Sequence, residues 1–446
     1  MRWREWARRA AMRRAPRCAK ARSCRPVCGR PNVVLARPKI KKVGSCSHAQ
    51  FCFPEQSKEI MTNRERALAI LRYQPYDRLP IVHFGFWKET LMKWSMEGHL
   101  SEEDARAWSH GTPADVRISA KLGFEMNWYS VLHLDHFLRP AFEAKVIREF
   151  ADGTQHVLND CGAVVVQRPG ATSIQAEIDH LLKDRASWEE HYKWRLAWTE
   201  GRVTHSQVRD NDRVRPYIDG GLALLKSEPV TRDYVYGLHC GSLFGNVRNI
   251  LGVEGACYLL ADDEALFDEI IEAVAELCYR NVEYALKAGA RFDFAHFWED
   301  ICFRNGPLIS PKVFRKKVGP HYRRLTEMVR RYGLDIISLD CDGCIDALLP
   351  IWLENGVNTL FPIEVGAWNG SIAPWRAQYG RTVRGVGGMN KSVFARDKSA
   401  IDAEVERIKP LVALGGYIPC PDHLIAPDAK WDLVRYYCDR MHETFQ

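Results

Sequence analysis

The chain has 446 residues, 46% of them hydrophobic and 27% charged, with a formal net charge of +7. This is the composition of a globular protein with a large core, and no apolar run approaches the roughly 18 residues that a membrane-spanning helix needs. These features exclude a membrane protein. The nine cysteines after residue 60 are irregularly spaced, which favours reduced thiols and a cytoplasmic location over a disulfide framework.

The first 60 residues differ from the rest in charge. They hold 16 basic and 3 acidic side chains, a net +13, which leaves −6 for residues 61–446. An acidic body predicts that nucleic acid is not a ligand. Residues 1–60 are predicted to be a disordered basic extension, either an arginine-rich arm or an upstream stretch joined by a misassigned start codon. Met61 is the expected beginning of the folded chain, since Thr62 or Asn63 can cap the helix that follows.

The remainder of the chain alternates short apolar strands with amphipathic helices, which is typical of βα units around a parallel sheet. The predicted strands are 79–86, 234–240, 292–298, 335–339, 359–364, 383–386 and 417–420. The predicted helices lie near 263–288, 311–332, 344–355, 398–413 and 429–443. Helix starts are expected after Ser310 and after Pro427-Asp428. Residues 61–446 are therefore predicted to form one (β/α)8 TIM barrel.

An insertion of about residues 140–215 is predicted to cover the barrel. Residues 143–168 resemble an antiparallel hairpin of two strands around Ala151-Asp152-Gly153. Residues 184–210, rich in tryptophan and charge, are predicted to be helical. The domain organisation is then an extension, 1–60, and a barrel domain, 61–446, that carries this insertion.

Acidic side chains follow the strand predicted at 335–339. Asp340 and Asp342 are two residues apart and should face the same way, with Cys341 facing the other way. His423 follows the last strand and should meet them at the carboxyl mouth. Three interpretations stay open: a divalent metal site of Asp340, Asp342 and His423 for Zn or a similar ion, a metal-free acid/base set, or caps of the following helix.

Other strand ends carry further candidates. His296, Glu299 and Asp300 end the strand at 292–298, beside Trp298, and we expect at least one of them to be functional. Glu364 ends a later strand in the same sense. His239 follows the strand at 234–240, where it either lines the mouth or is structural. Lys391 follows a glycine-rich strand whose backbone permits close approach to a ligand.

Five segments together resemble the uroporphyrinogen decarboxylase superfamily, which includes corrinoid-linked and coenzyme M methyltransferases. They are NRERALAILRYQPYDRLPI from Asn63, NGPLISPKVFRKKVGPHYRRL from Asn305, DCDGCIDALLPIWLENGVNTLFPIE from Asp340, RTVRGVGGMNK from Arg381 and DHLIAPD from Asp422. The resemblance covers residues 61–446. It implies a TIM barrel with one site at the carboxyl ends of the strands.

The chain departs from both branches of that superfamily. Asp340, Asp342 and His423 stand where the methyltransferase branch has a zinc-binding histidine and two cysteines, so no zinc-thiolate set is present. His423 matches the His-Gly-Ile turn of the decarboxylase branch. The arginine-rich opening of that branch is replaced here by HFGFWKE, from His83 to Glu89.

The resemblance and the residues favour transfer of a methyl or similar one-carbon group between a small substrate and a corrinoid or thiol carrier. The expected cofactors are a divalent metal and a corrinoid on a partner protein. The catalytic candidates are His423, Asp340, Glu299 and Glu364, and the substrate-binding candidates are His83, Phe86, Trp87, Trp128, His239, His296, Trp298 and Lys391. A cofactor-free decarboxylase of uroporphyrinogen or a smaller acid is the alternative, and a non-catalytic barrel that binds a corrinoid protein is a third. The oligomeric state stays open, with a homodimer as the candidate.

Overall fold

The alternating apolar runs form strands of a parallel barrel in the computed structural model, which describes residues 61–169, 175–211 and 213–446. The expectations for residues 1–60 lie outside the described residues. The barrel strands, in chain order, are Val82–His83, an interrupted strand of Met126–Asn127 and Val131–Leu132, Gly237–His239, Phe294–Trp298, Ile337–Asp340, Thr359–Ile363, Arg384–Met389 and Tyr417–Pro421. We number them one to eight.

Every neighbouring pair around the barrel is parallel. The second strand pairs with the first through Met126–Asn127 and with the third through Val131–Leu132. Strands three to eight then pair in chain order. A parallel bridge between Phe86 and Ile425 joins the last strand to the first and closes the ring. The predicted (β/α)8 fold is confirmed.

The outer layer consists of helices whose apolar faces pack on the barrel. They are Asn63–Leu71, Lys88–Met96, Glu102–Ala107, Pro113–Leu122, Gly245–Asp262, Glu264–Lys287, Pro311–Lys317, Gly319–Arg331, Leu349–Glu354, Ile372–Tyr379, Lys398–Ala413 and Trp431–Thr444. Thr62 caps the first of them in a capping box with Glu65, as its sequence predicts. Within the described part of the chain, no helix has both the length and the apolar character to cross a membrane.

Several helix predictions need correction. The region 184–210, predicted to be helical, ends in the strand Gln207–Asp210, and the helix expected at 344–355 begins at Leu349. The helix expected at 311–332 is divided at Val318, ahead of Gly319 and Pro320, because a proline early in a helix begins a new segment. The last helix begins at Trp431, not after Pro427-Asp428. The side chains of Lys93 and Trp94 both donate to the carbonyl of Ala429, which holds residues 427–430 as a loop against the second helix.

The region after the second strand contains a four-stranded antiparallel sheet. Its strands are Lys145–Glu149, Gln155–Leu158, Ala163–Gln167 and Ala176–His180, paired in chain order. The predicted direct pairing of the first and third of these is wrong, because Gln155–Leu158 lies between them. Two tight turns, with Gly153 and Gly162 at positive φ, reverse the chain where one was expected. A short hairpin of Gln207–Asp210 and Arg213–Pro216 follows.

The barrel interior is filled by aromatic side chains below its carboxyl end. Trp128 is fully buried and stacks on Phe294 with ring centroids 4.6 Å apart. Phe361 lies 6.4 Å from Trp128 and 4.7 Å from Phe84. Burial of these large rings stabilises the barrel and gives the mouth at the carboxyl end a packed floor.

Candidate active site at the barrel mouth

Four carboxylates meet at the mouth, and we call Asp300, Asp340, Asp342 and Glu364 the carboxylate cluster. Oxygens of the three aspartates all lie within 4.8 Å of one another. Asp340 ends the fifth strand in register with Trp298, which places the turn after strand four beside the turn after strand five. The same-side placement of Asp340 and Asp342 was predicted, and Cys341 is buried behind them.

Backbone geometry fixes the cluster. Asp300 has a left-handed φ of 47° and accepts a hydrogen bond from the Asp342 N–H at 3.1 Å. Gly343, at φ +85°, donates its N–H to Glu364 at 2.6 Å. A Cβ on Gly343 would overlap the carbonyl oxygen of Cys302, so only glycine lets the two turns approach this closely.

Burial and mutual repulsion raise the pKa values of the cluster. Burial, followed by the charge of Asp342, raises the pKa of Asp300 to about 6 and that of Glu364 to about 7. The pKa of Asp340 is raised well above its usual range by burial, with Asp300 and Asp342 adding to the effect. Near neutral pH the cluster therefore retains protons that it can donate.

Tyr129, in the interruption of the second strand, adds a proton donor. Its hydroxyl is hydrogen-bonded to Asp340, and burial together with the charges of Asp340 and Asp300 raises its pKa well above 10. The hydroxyl thus stays protonated and donates to the carboxylate.

The part of the rim next to the cluster is formed by His423, Trp87 and Lys391. The Nε2 atom of His423 lies 3.3 Å from an oxygen of Asp342, and its ring stacks on Trp87 at 5.7 Å. Burial lowers the pKa of Lys391, although Asp422 and Asp342 oppose that effect. Trp298 is half-buried at the end of strand four.

Three predicted substrate-binding residues lie elsewhere. His83 is fully buried, bonded through Nε2 to Ser119 at 2.8 Å, and Phe86 packs against Trp94 and the helical layer. His83 faces outward as an alternate residue of strand one, and Gly85, at φ +123°, breaks the alternation so that Phe86 also turns to the helical layer. Trp128 is part of the buried floor and not of an accessible wall.

The carboxylates of Glu299 and Asp422 accept hydrogen bonds from other groups of the protein. Glu299 is fully buried and accepts from the backbone N–H groups of residues 243–245 and from the hydroxyls of Ser242 and Tyr322. It holds the start of the helix Gly245–Asp262, so its carboxylate has no lone pair left for a substrate. Asp422 likewise accepts from the backbone of Val365, Gly366 and Lys391.

The sequence interpretation missed two residues at the mouth. Tyr129 and His133 belong to the second strand, which the sequence did not reveal, so neither was a candidate. The proposed metal trio also changes in composition, because Asp300 joins Asp340 and Asp342, while His423 touches the group only through Asp342. A set of carboxylate oxygens fits a hard divalent cation such as Mg²⁺ or Mn²⁺ better than a thiolate-type zinc site.

Known proteins resemble the chain in sequence and in fold. Residues 237–444 match the family described as uroporphyrinogen decarboxylase (URO-D). Uroporphyrinogen decarboxylases from two strains of Thermus thermophilus are each 27% identical over 272 residues, covering 56% of this chain and 74% of theirs. A methyltransferase from Methanosarcina mazei has the same fold, with a TM-score of 0.54 and 16% identity over 86% of this chain and 99% of its own.

Proposed function

We propose a function from the premise that this chain belongs to the uroporphyrinogen decarboxylase superfamily: it transfers a methyl or similar one-carbon group from a small substrate to a corrinoid or thiol carrier. The observation that carries the proposal is the carboxylate cluster. Four acids face the mouth, and the basic side chains that act on them are Lys391, His423 and Arg248.

This charge distribution favours a neutral or cationic substrate. A substrate with several carboxylates would meet like charges at short range, which costs several kcal/mol unless cations offset them. Among the described residues near the cluster, Lys391, Arg248 and the imidazole of His423 are the basic groups available for that purpose, and each already lies beside an acid.

The proposed step uses the cluster as a proton source. The bond between the methyl carbon and a substrate oxygen or nitrogen breaks, and the heteroatom keeps the electron pair and takes a proton from Glu364 or Asp300. The methyl group is received by the nucleophile of the carrier, a thiolate or a corrinoid on a partner protein. General-acid help of this kind contributes about 10²–10⁴-fold in rate, and it is most effective when the acid has a pKa near the working pH.

The aspartates also form a candidate site for a divalent cation. Asp300, Asp340 and Asp342 would hold the ion, which would act as a Lewis acid toward the departing heteroatom. In the metal-free protein the same residues act as acids and hydrogen-bond acceptors.

Decarboxylation of a smaller acid is the second candidate, and the similarity to the two uroporphyrinogen decarboxylases favours it. His423 and Lys391 could bind one carboxylate, and Glu364 could protonate the carbon that carbon dioxide leaves. Uroporphyrinogen itself is disfavoured by the acidic rim.

An anaerobic assay separates these functions. The protein is incubated with cob(I)alamin or a thiol and a panel of methylated phenols and amines, and in parallel with uroporphyrinogen and with a panel of smaller carboxylic acids. Methylated carrier from the methylated panel, with no carbon dioxide from uroporphyrinogen or the smaller acids, is the expected result. Release of carbon dioxide would instead establish decarboxylation, and inactivity in both assays would favour a non-catalytic barrel.

A further inference from the structure

Beside the carboxylate cluster lies a second group of side chains to which the proposed function gives no role. Tyr129, His133, His239 and His296, here called the histidine cluster, come from strands two, three and four. Their ring centroids form a closed circuit: 5.8 Å from Tyr129 to His133, 4.9 Å on to His239, 6.1 Å on to His296 and 5.1 Å back to Tyr129. Such a circuit around one corner of the mouth is an arrangement that a flat ligand can contact.

Several imidazole nitrogens of this cluster form no hydrogen bond with the described part of the chain. The Gly241 N–H donates to Nδ1 of His239 at 3.2 Å, so the proton of the neutral ring is on Nε2, which has no partner among the described residues. His133 makes ring contacts but no hydrogen bond within the described chain, and part of it stays solvent-accessible. Nε2 of His296, behind them, is also unpartnered.

These histidines are neutral near pH 7. Burial lowers the pKa of His296 to about 3, and burial followed by the neighbouring histidines lowers the pKa of His239 well below 6.5. Partial burial and the charge of Arg209 lower the pKa of His133. By contrast, both ring nitrogens of His136 have hydrogen-bond partners. Its Nε2 is bonded to the His239 carbonyl and its Nδ1 to Asn281. It positions His239.

The histidines are not arranged as a metal site. In the described residues one group has ligand atoms that all lie within 4.8 Å of one another, and that group is the three aspartates. An uncharged imidazole N–H is a donor for an oxygen acceptor. A carboxylate acceptor would be repelled by the carboxylate cluster, which Tyr129 joins to this corner through Asp340, while Arg209 beside His133 attracts it more weakly than four nearby acids repel it.

We propose that the histidine cluster binds the uncharged hydroxyl of a small phenol, with the Nε2–H of His239 donating to the phenolic oxygen and a ring nitrogen of His133 beside it accepting the phenol O–H. The rings of Tyr129 and His133 supply flat surfaces for the aromatic part. This inference rests on the proposed function for its context, since it assigns the substrate class: the hydroxyl is the non-reacting anchor, and the reacting group points to the carboxylate cluster.

Calorimetric titration of the full chain with phenol, benzoate and benzylamine tests the assignment without requiring turnover. Phenol is expected to bind at least about tenfold more tightly than benzoate. His239→Asn keeps an acceptor for the Gly241 N–H but loses the donor, and should weaken phenol binding about tenfold. His239→Gln places an amide donor near the lost Nε2 and should restore much of it. His99→Asn, at a histidine stacked on Trp431, is the matched control and should bind like the unaltered chain.

The outcomes separate this inference from the proposed function. Benzoate binding as tight as phenol, no phenol binding, or an unchanged affinity in a folded His239→Asn protein would overturn the inference even if methyl transfer were found. His133→Phe keeps a flat ring but has no acceptor nitrogen, and it provides a second test if His239→Asn does not fold, with the same expected loss. Phenol binding that depends on His239, in a protein that transfers no methyl group, would support the inference and remove the proposed function.

Discussion

Glu364 and Asp300 both lie beside Asp342, and both have pKa values that are unusually high for carboxyl groups. Burial, followed by the charge of Asp342, raises the pKa of Asp300 to about 6 and that of Glu364 to about 7, above the range of a free carboxyl group. A carboxylic acid that is protonated at neutral pH can donate to a leaving group, whereas an ordinary surface glutamate cannot. The chemistry of the mouth therefore depends on the crowding of like charges.

Glu364→Gln should stabilise the fold at alkaline pH. The folded-state pKa of about 7 lies above the ordinary 4.5, so the ionised glutamate costs stability, and that cost is complete above pH 7 and vanishes below pH 4.5. We expect the mutant to exceed the unaltered chain by about 1–3 kcal/mol at pH 8. Urea unfolding at pH 8, 6 and 5 measures the gap, with Glu354→Gln as an exposed control. A gap that grows as the pH falls would contradict the assignment.

Asp300→Asn should weaken divalent-cation binding more than His423→Asn does. Asp300 shares the group of carboxylate oxygens, whereas His423 reaches it only through Asp342. Titration with Mn²⁺ should give one site, with at least about a tenfold loss of affinity in Asp300→Asn. Binding that depends on His423 and not on Asp300 would restore the trio that the sequence predicts.

Individual barrel strands position these residues, and the sequence predicts some of these strands but not others. The strands that end at Asp340, Glu364 and near His423 were predicted, because their apolar runs are continuous and end in polar turns. The second strand was missed, because Met126–Asn127 and Val131–Leu132 are each two residues long and no period of two extends across them. Tyr129 and His133 belong to this strand, so the sequence did not identify them as candidate site residues.

The choice between Glu299 and Asp300 could not be made from the sequence. The two acids are adjacent, and both follow the same strand. A left-handed backbone at Asp300 turns its side chain to the mouth, while the donors at the start of the helix Gly245–Asp262 capture Glu299. These donors are more than 50 residues away in the chain, so no local pattern reports them.

Glu299→Gln should destabilise the protein by about 2–4 kcal/mol, because a side-chain amide turns N–H groups toward donors that need an acceptor. Urea unfolding measures the loss, and Glu102→Gln, on an exposed helix, is the control. A stability within about 0.5 kcal/mol of the unaltered chain would contradict the capping role.

Gly343→Ala should cost more than Gly333→Ala. Both glycines have φ near +86°, at +85° and +87°, so the backbone strain of an alanine is shared. Only at Gly343 would the new Cβ meet backbone, 2.8 Å from the carbonyl of Phe303 and closer still to that of Cys302. We expect Gly343→Ala to be about 1–3 kcal/mol less stable than Gly333→Ala by urea unfolding. Equal losses would show that the two turns can move apart.

The barrel brings two different groups of side chains, the carboxylate cluster and the histidine cluster, to one mouth. Strands four, five and six supply the carboxylate cluster, and strands two, three and four supply the histidine cluster, with Tyr129 in contact with both. The parallel barrel makes this meeting necessary, because all eight strands end at the same face. The carboxylate cluster is suited to proton donation, and the uncharged histidine cluster is suited to recognition of the substrate.

The central claim is that the carboxyl group of Glu364, whose pKa is raised, supplies the proton to the departing heteroatom. The pH dependence of single-turnover methyl transfer tests this claim. The rate in the metal-free protein should fall as the pH rises through about 7, where Glu364 loses its proton. Glu364→Gln should be slower by about 10²-fold or more and should lack this decline. Glu354→Gln should keep both the rate and the profile. An unchanged rate and profile in Glu364→Gln would contradict the account.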